Sequence, residues 1–75
     1  MNPRIEIQPA VCHGKPVFRG TRVLVSTVLG ALGAGDSFDT VLEDYPNLIR
    51  EDIEAALEFA SQVIDRQVAS YDAVA

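Results

Sequence analysis

Apolar residues fall on alternate positions near the start of the chain and at three- and four-residue intervals from its middle onward. "RIEIQ" (Arg4–Gln8) alternates as a short half-buried strand does, and Pro9 ends it. "PVF" and "RVLV" flank "RGT" and are rich in β-branched residues, with Gly20 placed where a turn needs positive φ. The pattern predicts a hairpin of Pro16–Phe18 with Arg22–Val25. Arg19 and Arg22 would be the first and last residues of its four-residue turn.

From Ser26 the period changes. Val25, Val28, Leu29 and Leu32 hold helical spacing, with Ser26 a candidate N-cap and Gly35 a candidate left-handed stop. Ser37 is placed to cap a short helix, "FDTVLEDY", with Asp39 in its first turn and Pro46 closing it. A third helix is predicted from about Arg50 to Val68, with Ile53, Ala56, Leu57, Ala60, Val63, Ile64 and Gln67/Val68 on its apolar side. The tail from residue 69 shows no clear period and is expected to fray. The expected fold is therefore mainly α with a small β element. An N-terminal strand and hairpin head (residues 4–25) precede a three-helix, helix-turn-helix-like bundle (26–68), in one domain over 1–75.

Size and charge sharpen the picture. A chain of 75 residues buries a modest share of its surface, so a small fold usually needs disulfides, a metal or a partner. Cys12 is the lone cysteine, and with His13 beside it supplies too few soft ligands for structural zinc. Self-association is expected, a dimer first. Neither a secretion signal nor a membrane-spanning run is visible, and a free cysteine suits a reducing compartment, so the cytoplasm is the expected location. Net charge is +3 over residues 1–35 and −8 over residues 36–75, together −5. The chain has a basic head on an acidic body.

"GKPVFRGTR" gathers Lys15, Arg19 and Arg22 around Gly20 and Thr21. It reads either as an anion- or partner-binding claw of forked donors or as a hairpin tip with ordinary solvated charge. Were DNA bound, Arg4, Lys15, Arg19, Arg22 and Arg50 would supply phosphate contacts. The helix that starts "IREDIEAALEF" is a poor recognition helix, because its carboxylates repel phosphate. Glu51, Glu54 and Glu58 instead offer an acidic face to a partner. Metal binding by Glu51, Asp52 and Glu54, or by Asp36 and Asp39, is disfavoured. Neighbouring helical positions face different ways, and acids early in a helix answer its dipole. His13, next to Gly14, reads as a turn residue. No catalytic set, cofactor or metal site is expected.

"GKPVFRGTR", "LGALGAGDSFDTVLEDYPNL" and "EDIEAALEFA" together resemble the domain-of-unknown-function family 433, over roughly residues 4–60. Matching positions include Gly14, Pro16, Gly20, Thr21, Arg22, Gly35, Tyr45, Pro46, Leu48, Asp52, Ile53, Ala56 and Leu57. The resemblance implies a small bacterial or archaeal antitoxin-like protein, encoded beside a PIN-type nuclease toxin that it masks, and binding operator DNA as a second role. The family tends to carry Thr or Ser where this chain has Ile49, which removes a side-chain N-cap worth about 1 kcal/mol and predicts a looser Pro46–Arg50 loop. Two other classes stand beside this one: a dimeric DNA-binding regulator without a toxin, and a structural module that mediates assembly.

Overall fold

A computed structural model describes residues 2–74, with side chains through residue 67. Two short strands, β1 (Ile5–Glu6) and β2 (Val17–Phe18), pair antiparallel with Ile5 opposite Phe18 and Glu6 opposite Val17. Three helices follow: α1 (Val25–Gly33), α2 (Phe38–Asp44) and α3 (Arg50–Val74). The expected class holds: a small antiparallel β element leads into three helices.

The details of the head differ from the sequence pattern. The segment after the tip contributes a single bridge, Val17 to Leu24, so Val17 pairs with β1 on one side and with Leu24 on the other. It goes no further because the chain turns into α1 at Val25. That start also explains why Ser26 is not the N-cap. Leu24 holds that position without a side-chain bond, and the Val25 N–H is taken by the Pro16 carbonyl at 3.0 Å. Strand backbone does here what a serine hydroxyl does elsewhere.

The end of α1 and both ends of α2 follow the sequence closely. At the end of α1, Gly35 has φ +102°, the Gly35 N–H reaches the Leu32 carbonyl at 3.0 Å and the Asp36 N–H reaches that of Ala31 at 3.0 Å. These crossed bonds form a Schellman stop, which needs a left-handed residue. Ser37 caps α2 through its hydroxyl, accepting from the Thr40 N–H at 3.1 Å. Helix α3 runs beyond the predicted end at Val68, to Val74. The expected fraying of the tail concerns residues outside those whose side chains are described.

The core is built from all five elements: Ile5, Phe18, Val25, Val28, Val41, Leu48, Ile53, Ala55 and Ala56. Helix α1 packs on both α2 and α3, and α2 packs on α3. Burial of each larger aliphatic or aromatic side chain contributes about 1.5–3 kcal/mol. Among the described side chains of α3, every buried residue lies between Asp52 and Ala56, in its first two turns. At 1.5 Å per residue a 25-residue helix is about 37 Å long, and among its described residues the last one packed on the core cluster is Phe59.

Candidate functional site

The tip of the head is a tight turn, one residue earlier than the spacing suggested. Thr21 N–H donates to the Phe18 carbonyl at 3.0 Å, so Phe18 and Thr21 are the turn's ends and Arg19 and Gly20 its centre. Gly20 takes φ +76°, which a two-residue turn of this kind requires at its second central position. Arg22 therefore lies just outside the turn. The Thr21 hydroxyl works within it, donating to the Phe18 carbonyl at 2.8 Å and accepting from the Val23 N–H at 3.0 Å.

Arg19 folds back across β1. Its Nε–H donates to the Pro3 carbonyl, its Nη1 lies 3.4 Å from Glu6 Oε2, and its own N–H donates to the Arg4 carbonyl at 2.8 Å. Glu6 Oε1 also accepts from the Gly20 N–H at 3.4 Å. Glu6 thus holds the tip from the neighbouring strand. The sequence marked it only as one polar step in an alternating strand.

Arg4 is drawn the other way, to Asp52 on α3, with Nη1 to Oδ1 at 3.2 Å. Arg50 lies over the Phe38 ring, its guanidinium carbon 4.8 Å from the ring centre, a cation–π contact between α3 and α2. Of the five basic residues expected to meet an anion, Arg4, Arg19 and Arg50 are thus engaged within the chain. Lys15 and Arg22 are exposed, and among the described residues their side chains make no hydrogen bond or ion pair.

The segment that presents Lys15 is unusual. Cys12, His13 and Gly14 have φ of +50°, +59° and +78°, one turn of left-handed chain. The turn closes through Gly14 N–H to the Val11 carbonyl at 3.1 Å and Lys15 N–H to the Cys12 carbonyl at 3.2 Å. Holding a non-glycine residue there costs about 1–2 kcal/mol. The Cys12 thiol donates to the Arg22 carbonyl at 3.6 Å, which ties this turn to the segment beyond the tip. Lys15 and Arg22 are thereby carried on two backbone segments fastened to each other.

Asp52 is the functional-looking residue that the sequence understated. Its Oδ2 accepts from the Ile49 N–H at 2.9 Å while Oδ1 meets Arg4. It stands three residues after Ile49 and reaches back to it, the reciprocal half of a capping box. The Pro46–Arg50 loop is consequently not loosened by Ile49: Leu48 is buried, its N–H bonds the Tyr45 carbonyl at 2.9 Å, and Asp52 fastens the helix start. The spacing of an acid three residues into a helix was the available signal.

On the outer side of α3, Glu51, Glu58 and Asp65 recur every seven residues with Glu54 beside them, all exposed and within about 60° of helical arc. Asn2 Nδ2 donates to Glu58 Oε1 at 3.2 Å. Glu51 and Glu54 have no such contact among the described residues. No group of three His, Cys, Asp or Glu residues that could hold a metal is present among the described residues, and none of their helices is long and apolar enough to cross a membrane.

Comparison with known proteins places this geometry in a family. Residues 5–60 match the family described as "Protein of unknown function (DUF433)". The chain is 39% identical over 54 residues to a Mycobacterium tuberculosis protein named "Putative antitoxin VapB45", a match covering 68% of this chain and 23% of that protein. It is 42% identical over 52 residues to "Uncharacterized protein y4eO" of Sinorhizobium fredii, covering 69% and 24%. The chain thus spans about a quarter of the length of these curated relatives. The crystal structure of a DUF433 member from Anabaena variabilis superposes with a TM-score of 0.76 at 36% identity, covering 88% of this chain and 68% of that one. With its β head, three helices and family match over residues 5–60, this chain belongs to the DUF433 family.

Proposed function

We propose that this protein is a non-catalytic, antitoxin-like cytoplasmic protein that binds and neutralises a PIN-type ribonuclease. The observation that carries the reading is the acidic stripe of α3, taken with the likeness to a relative named as an antitoxin. Glu54 and Glu58 are one helical turn apart, and a like-charge pair at that spacing opposes the helix by about 0.2–0.5 kcal/mol. A basic partner relieves that repulsion, and a nuclease that binds RNA presents a basic track. Lys15 and Arg22, exposed and without partners of their own among the described residues, suit a carboxylate cluster such as the one that holds metal in such a nuclease. Arg19 takes a supporting part, holding the tip against β1.

Operator DNA is a second ligand on this reading, and the free Lys15 and Arg22 favour it. Each phosphate contact releases counterions, so binding through these two cations falls as salt rises. Co-expression with the neighbouring reading frame, followed by size-exclusion chromatography with light scattering, tests the proposal. A stable hetero-complex supports it. A chain that ignores its neighbour and binds its promoter in a salt-dependent way replaces it with the regulator reading.

A further inference from the structure

We draw no further inference here: the strongest candidate, the open groove between Ile7 and the α3 residues Phe59, Gln62, Val63 and Arg66, mixes apolar and polar groups, and nothing in the structure shows what covers it.

Discussion

Arg4 and Asp52 are 48 residues apart in the chain and 3.2 Å apart in space, joined Nη1 to Oδ1 across the boundary between the β head and α3. The same carboxylate accepts the Ile49 N–H at 2.9 Å. One side chain thus closes the start of α3 and fixes the N-terminal segment against it. The two partners are unequal: Asp52 is nearly buried, whereas Arg4 is about half in solvent. Asp52→Ala is expected to cost about 1–3 kcal/mol, because it removes a helix-end acceptor and leaves the Ile49 N–H unpaired. Arg4→Ala is expected to cost no more than about 1 kcal/mol, the ordinary worth of a solvent-screened pair. Urea denaturation of both variants checks the asymmetry, and equal losses contradict it.

Backbone conformation at the head gives two substitutions of opposite sign. Gly20 has φ +76° with open space around it, so Gly20→Ala tests the backbone alone and is expected to destabilise by about 1–2 kcal/mol. His13 holds φ +59° and is exposed. His13→Gly relieves that strain and gives back part of the gain as chain entropy, for a net stabilisation of up to about 1 kcal/mol. Thermal unfolding of the pair separates them; a destabilised His13→Gly refutes the strain account.

Ile53 is fully buried where α3 meets the rest of the core. Ile53→Ala is expected to cost about 2–5 kcal/mol, a large part of the stability of so small a domain. Loss of cooperative unfolding is the expected reading, and a loss under 1 kcal/mol would mean that α3 docks elsewhere.

Glu54→Lys is expected to stabilise the isolated chain by a few tenths of a kcal/mol, since it replaces a like-charge pair with Glu58 by an attractive one. The same change weakens capture of a basic partner. Denaturation midpoints and partner binding should therefore move in opposite directions. If both fall together, the stripe serves stability and not recognition.

The helices were legible because each carries local signals. The apolar spacing, Ser37 before Phe38 and Gly35 after Ala34 depend on near neighbours, and all three appear where the chain places them. The head was harder for the opposite reason. Whether Val17 pairs with Glu6, with Leu24 or with both depends on contacts between distant segments, and the turn shifted by one residue because Thr21 bonds back to Phe18. The basic cluster was visible as composition, but not how it divides. Glu6 occupies Arg19, Asp52 occupies Arg4, and Lys15 and Arg22 remain outward; alternating polarity along Arg4–Gln8 contains nothing that assigns those partners. The left-handed run at Cys12 and His13 has no signature beyond Gly14, since glycine is the residue that adopts it freely.

The most direct measurement titrates RNA cleavage by the PIN-type nuclease proposed as its partner with the unaltered protein, with Glu54→Lys/Glu58→Lys and with Lys15→Ala/Arg22→Ala. The account predicts stoichiometric inhibition by the unaltered chain, weakened at least tenfold in each double variant while both remain folded. Undiminished inhibition by both variants, or none by the unaltered chain, contradicts it.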